Sequence, residues 1–411
     1  MAKLMELRRK ALSIAVYSNM WSDKYLNALW QMIFCDETDE KIVLGCYSKL
    51  FKAAVEIGYA ESVGLHIEKI MLSDDNAFTR ALAKSITPAE VVINAAKNEI
   101  NIISEISKIS TDTILELFPI LNECKQYMPH IMCGKTPKVF CDLQNAYSFL
   151  GEYHKVYGCG VFSTNYAFMW NNGVVPVVNI DPITLDNLKG YETQRGKIID
   201  NTQSFIEGLP AANMLLYGDK GTGKSSTIHA VLNEYHNKGL RMLELQRENL
   251  HDLPTICDLL GDLPQRFIVF IDDLSFDGWS EDFSALKAVL EGSLSARPQN
   301  VIIFATSNRR HLVREYQSDR ANDDVNSADT REEMLSLSDR FGITVTFLNP
   351  AKAQYLEIVD QLATDENLEI DKDKLSMAAE RWALTKAGRS PRGARQFIDY
   401  VKSRLARNLD I

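Results

Sequence analysis

Gly218-Asp219-Lys220-Gly221-Thr222-Gly223-Lys224-Ser225 stands between the apolar run Met214-Leu215-Leu216-Tyr217 and a stretch to Tyr235 that carries Ile228, Val231 and Leu232 at helical spacing. The eight residues complete the G-x-x-x-x-G-K-[ST] pattern, and a strand before it with a helix after it is the context the pattern requires. Glycines at 218, 221 and 223 let the backbone turn tightly, so that successive N–H groups and a helix N-terminus face a phosphate chain. Lys224 is placed to reach β- and γ-phosphates, and the Ser225 hydroxyl to ligate a bridging Mg²⁺. The expected cofactor-binding set here is Gly218, Asp219, Lys220, Gly221, Thr222, Gly223, Lys224, Ser225 and Ser226. A chance glycine-rich turn is the bland alternative, and the flanking strand and helix weigh against it.

Outward from this loop, strand candidates at 213–217, 241–245, 267–271, 301–305 and 343–347 alternate with stretches long enough for crossover helices. That rhythm predicts an α/β fold with a five-stranded parallel sheet covered on both faces. Phe267-Ile268-Val269-Phe270-Ile271 runs into Asp272-Asp273, and strand C-termini are where a doubly wound sheet delivers its chemistry. Asp272 is expected to hold Mg²⁺ and Asp273 to polarise the attacking water. Two acids after a strand are a weak sign alone; downstream of a phosphate loop they are a strong one. Val301-Ile302-Ile303-Phe304-Ala305 leads into Thr306-Ser307-Asn308, so Asn308 is a candidate for orienting that water or sensing the γ-phosphate. Its bland reading is a local turn bond. Arg340, before the last strand, is a candidate for reaching a neighbouring subunit's γ-phosphate, against the alternative of a surface pair with Asp339.

Residues 1–150 carry helical periodicity without strand alternation and predict an all-α N-terminal domain; Val43, Tyr47, Leu50, Phe51, Ala54 and Val55 share one helical face. Thr87, Pro88 and Glu90 form a capping-box pattern that predicts a helix start. Turn-rich 151–185 reads as a linker or docking strip, 186–349 as the nucleotide-binding domain and 350–411 as a helical lid with amphipathic segments at 351–363, 372–386 and 391–408. Hydrophobic residues make up 45% and charged residues 24% of 411, which excludes a largely disordered chain. No run is long and apolar enough for a membrane span, and the N-terminus lacks a cleavage signal, so the expectation is a cytoplasmic protein. Seven cysteines at irregular spacings, without C-x-x-C, predict reduced, mostly buried thiols. A net charge of −10 disfavours broad nucleic-acid binding. The basic run Arg389, Arg392, Arg395, Lys402, Arg404 and Arg407 leaves a local patch as the minority reading.

With these residues in view, 186–408 resembles AAA+ ATPases. IDDLSF at 271–276, ATSNRRHL at 305–312 and LSDRFG at 337–342 are similar to an uncharacterised family of bacterial predicted AAA+ ATPases. The resemblance implies an adenine-contacting strip at Ile183–Tyr191, with Leu188, Gly190 and Tyr191 against the base. It implies Walker A at 218–225, Walker B at Asp272 and Asp273, sensor 1 at Asn308 and an arginine finger at Arg340. Arg392 of Gly388-Arg389-Ser390-Pro391-Arg392 would be sensor 2, with Arg395 as fallback. ATP and Mg²⁺ are the implied cofactors, a homo-oligomer the implied assembly, and remodelling of a protein partner held by the helical domain the implied task. The alternative is a slowly hydrolysing, ATP-controlled switch or loader acting on a replication or repair helicase. Most of the family has Glu where this chain has Asp273, one methylene shorter, which predicts weakened general-base assistance.

Overall fold

A computed structural model of the chain describes every residue except 1, 275–285, 288, 291–297, 309–339, 386–387 and 408. Two compact units emerge, Met1–Thr164 and Asn165–Ile411. Among the described residues no helix is long and apolar enough to cross a membrane.

The first unit is helical. Its longest helices, Glu40–Glu56 and Glu90–Ile106, bury one face each in a core that includes Tyr17, Tyr25, Tyr47, Phe78 and Phe118. The striped segment folds as expected, with Val43, Tyr47, Leu50 and Ala54 buried, while Val55 lies exposed. Asp39 begins that helix by accepting the N–H groups of Lys41 and Ile42. Thr87 does not cap the next long helix: Ala89 holds the N-cap position without a side-chain bond. Glu99 is 2% exposed, and its carboxylate accepts the N–H groups of Ala15, Val16 and Tyr17 at 2.9–3.0 Å, which satisfies the main-chain donors of the segment after the first helix. All seven cysteines are free thiols; only Cys159 and Cys257 are buried, so the expectation of mostly buried thiols is corrected.

The second unit is built on one sheet of seven strands: β1 (Ala167–Trp170), β2 (Val174–Pro176), β3 (Met214–Gly218), β4 (Leu240–Glu244), β5 (Arg266–Ile271), β6 (Val301–Ser307) and β7 (Ile343–Phe347). Their spatial order is β2-β1-β4-β5-β6-β3-β7. The five expected strands form the parallel body β4-β5-β6-β3-β7, and β6 lies between the phosphate-loop strand and the two-acid strand. Strands β5 and β6 are buried almost throughout, as parallel strands covered on both faces must be.

Two further strands come from the segment read as a linker. Residues 151–157 belong to the helix Ala146–Tyr157 of the first unit, whereas β1 pairs parallel to β4 and β2 antiparallel to β1. The apolar run at 166–170 is too short for periodicity to distinguish strand from helix, and only the open edge of β4 gives it a ladder partner. Beyond the sheet, Lys352–Asp365, Lys372–Thr385 and Pro391–Leu405, in the segment expected to be a lid, are helices packed on their own core of Tyr355, Ile358, Leu375, Phe397 and Ile398.

Candidate nucleotide site

Gly218 ends β3 at φ 139°, and a Cβ there would lie 1.9 Å from the carbonyl oxygen of Phe347. Only glycine permits that crossing, which sends the loop over the end of β7. Asp219 fixes the crossing from both of its ends: its N–H donates to Phe347 O, and its carboxylate accepts the N–H of Asn349 at 2.7 Å. The helix Lys224–Tyr235 follows Gly223, itself left-handed at φ 91°, and its first backbone bond runs from Thr227 N–H to Gly223 O. Among the described residues, the N–H groups from Lys220 to Ser226 donate to no protein oxygen. Seven unused donors in sequence at a helix N-terminus form a candidate anion cradle.

Lys224 is buried, and its ammonium donates to Gly218 O at 2.9 Å, Asp219 O at 2.8 Å and Asn308 Oδ1 at 3.1 Å. Burial holds its pKa below the ordinary lysine value, against the opposing pull of Asp219, Asp272 and Asp273. An arriving phosphate would restore what burial takes from this cation.

On the other wall, Ser225 donates to Asp272 Oδ1 at 2.7 Å. Thr306, at the end of β6, also donates to Asp272 Oδ1 and accepts the N–H of Asp273 at 2.9 Å. Asp273 sits at φ 50°, a left-handed conformation that costs a non-glycine residue about 1–2 kcal/mol. Asn308 Nδ2 donates to Asp273 Oδ1 at 2.6 Å, so one amide joins Lys224 to Asp273. Asn308 therefore bridges across the site and makes no mere local turn.

A cavity of about 480 Å³ opens along these groups, within the ~300–1,000 Å³ usual for small-molecule sites. Its polar end is lined by Lys220 to Thr227, Asp272, Asp273, Thr306 and Asn308; its apolar end by Ile183, Leu188, Tyr191, Ile358 and Leu362. Tyr191 is positioned by its hydroxyl, which donates to Leu348 O at 2.6 Å, and by its ring, centred 5.2 Å from that of Phe347. Burial pushes its phenol up to about 12, so it stays a neutral donor. Gly190 does not line the cavity; it lets the chain pass the lid, where a Cβ would stand 3.0 Å from Ile358 Cδ1.

The lid helix enters through Ser390, whose hydroxyl caps Gly393 N–H at 3.1 Å, and the Arg392 N–H donates to Gly221 O at 3.1 Å. The Arg392 side chain lines the cavity without a hydrogen bond among the described residues. Arg395 also lines it, but is drawn to Glu366 at 3.1 Å. Other basic residues of the tail are similarly engaged: Arg389 with Glu380 through two bonds, Lys402 with Glu366 and Arg404 with Asp410 O. Glu380 and Glu366 thus offset two of the six basic charges, while the Arg404 bond is to a neutral main-chain carbonyl.

Arg340 lies just before β7 and does not line this cavity; Asp339 falls outside the described residues. Sequence reading missed Thr306, whose hydroxyl touches both acids, and the apolar pair Ile358 and Leu362. Thr306 carried one faint sign, a polar residue ending an otherwise apolar strand. Nothing local marks Ile358 and Leu362, which look like any helix stripe.

Among solved structures, the Holliday junction branch migration motor RuvB of Thermotoga maritima is similar at 18% identity, with 56% of this chain and 67% of that one covered and a TM-score of 0.40. A point variant of the same motor is similar at 17% identity, over 56% and 69%, with a TM-score of 0.40. No curated protein matches the chain by sequence. The model of one family, described as a protein of unknown function, DUF815, matches residues 163–405, nearly the whole of the second unit. On that match, which spans more than half of its length, the chain belongs to the DUF815 family.

Proposed function

We propose that this chain binds ATP with Mg²⁺ in the cavity of its second unit and hydrolyses it, working as an AAA+ ATPase. The observation that carries the reading is the row of unpaired N–H groups at Lys220 to Ser226, which includes a buried lysine and is faced by Asp272. No other ligand class uses seven main-chain donors, one cation and a serine–carboxylate pair together as well as a magnesium polyphosphate does. Mg²⁺ would supply charge neutralisation on the polyphosphate. Ser225 and Asp272 would hold it, in keeping with magnesium's habit of taking one or two protein ligands and completing its shell with phosphate and water.

In this reading Lys224 turns from its loop carbonyls to the phosphates, and Asn308, released at its carbonyl end, keeps Asp273 aimed by its amide end. Asp273 accepts the proton of the attacking water; its short side chain makes turnover slow. Arg392 approaches the phosphates from the lid. Arg340, away from its own cavity, completes the site of a neighbouring subunit in a homo-oligomer, and the helical unit presents a protein partner for remodelling. Adenine is the preferred base, since the apolar end of the cavity offers packing and the sequence has no N-K-x-D guanine-reading segment.

Calorimetric titration with ATP and Mg²⁺, followed by steady-state hydrolysis of wild type and Arg340→Ala, tests this. Saturable uptake with turnover lost in the variant is expected. No heat of nucleotide uptake by wild type would overturn the nucleotide reading. Full turnover by Arg340→Ala would overturn the shared site.

A further inference from the structure

We infer that Thr306 is a positioning residue that sets the magnesium-binding carboxylate and the catalytic carboxylate with one hydroxyl; the inference rests on the nucleotide reading above. Ala305 is in register with Ile271, so Thr306 stands one step beyond the paired ends of β5 and β6, level with Asp272. It is 2% exposed, in a strand whose preceding residues, Val301 to Ala305, are apolar and buried. A buried hydroxyl must spend its capacity on partners, and among the described residues this one spends it on the Asp272 carboxylate and the Asp273 N–H. Its proton goes to Asp272 Oδ1, and its oxygen accepts Asp273 N–H at 2.9 Å. Its main-chain oxygen then accepts Leu274 N–H at 2.7 Å, so three consecutive residues after β5 are tied to this single position.

Two consequences follow for the chemistry. Asp272 Oδ1 receives both Ser225 and Thr306, which fixes the carboxylate plane and leaves Oδ2 without a hydrogen bond among the described residues, open to a cation. Thr306 also clamps the N–H of Asp273 in its left-handed turn, which aims a carboxylate that is too short to be aimed by length. Outer-shell partners of this kind orient ligands and tune metal affinity. Serine keeps both bonds and valine keeps only the shape.

The test compares full-length wild type, Thr306→Val, Thr306→Ser and Thr306→Ala, each titrated with ATP in EDTA and again in Mg²⁺. The gain in affinity on adding Mg²⁺ is the readout. Thr306→Val should keep the affinity measured in EDTA and lose about 10–100-fold of the magnesium-dependent gain. Thr306→Ser should restore it. Thr306→Ala, which leaves space in place of a buried methyl, serves should the valine variant fail to fold. An unchanged magnesium gain in valine or alanine variants overturns the role, as does an equal loss in both buffers. If wild type itself takes up no ATP in either buffer, the nucleotide reading falls and Thr306 with it, an outcome distinct from wild type binding beside an unaltered variant.

Discussion

Replacing Lys224 by methionine keeps the unbranched stem and removes the ammonium. In the structure that group donates to two main-chain carbonyls and to Asn308 Oδ1, all uncharged, and burial depresses its pKa. Three neutral acceptors thus compensate a buried cation only in part. Removing it leaves those acceptors short of a donor and at the same time relieves the desolvated charge. The opposing terms are about 1–3 kcal/mol each and largely offset, so Tm should move by no more than ~2–4 °C. Binding has no such offset. A hydrogen bond from an ammonium to a charged group contributes about 1.5–3 kcal/mol, which converts to a loss of roughly 10–150-fold in ATP affinity. Calorimetric titration gives the affinity and scanning calorimetry the stability on the same samples. An ATP affinity within about two-fold of wild type, with Tm unchanged, would refute the assignment of Lys224 to phosphate.

Gly218→Ala should destabilise the second unit by at least about 3 kcal/mol, because its Cβ would meet Phe347 O at 1.9 Å; a wild-type Tm would contradict the close crossing of β3 and β7. Asp273→Glu adds the methylene that the resemblance expects and should raise the hydrolysis rate by about 10-fold or more, read in a steady-state assay; a fall in rate would show that the left-handed turn already aims the shorter acid correctly. In the helical unit, Asp23 accepts the N–H groups of Tyr25 and Leu26 and pairs with His66 Nε2 at 3.0 Å. Burial would raise its pKa, but these bonds outweigh burial and hold it below the ordinary carboxylate value. A depressed carboxyl contributes stability that is present above its unfolded pKa, near 3.9, and is lost as pH falls through the lower folded one. Asp23→Asn should therefore flatten the acid limb of stability below about pH 4, measured by denaturant unfolding across pH; an unchanged limb would show that the pairing carries no pH dependence.

What the sequence determined by itself was everything encoded in short windows. The loop at 218–225 specifies its own conformation through glycine. Strands β3, β5 and β6 stand out because buried strands are apolar at nearly every position, β7 by its alternation, and the C-terminal helices because their stripes recur at 3.6 residues. Asp272, Asp273 and Asn308 were legible because each ends such a strand. What only the tertiary structure decided was which residues meet across long separations. The strand at 167–170 needed the open edge of β4. Thr306 needed register with β5 before its hydroxyl could touch two acids. Arg392 and Arg395 are three residues apart on one helix, and only the position of Glu366 separates the arginine free to face the cavity from the one drawn away. Local propensity is written in neighbours along the chain, whereas a site is assembled from hydrogen bonds between strands and helices that are distant in sequence, and those partners exist only once the sheet has closed.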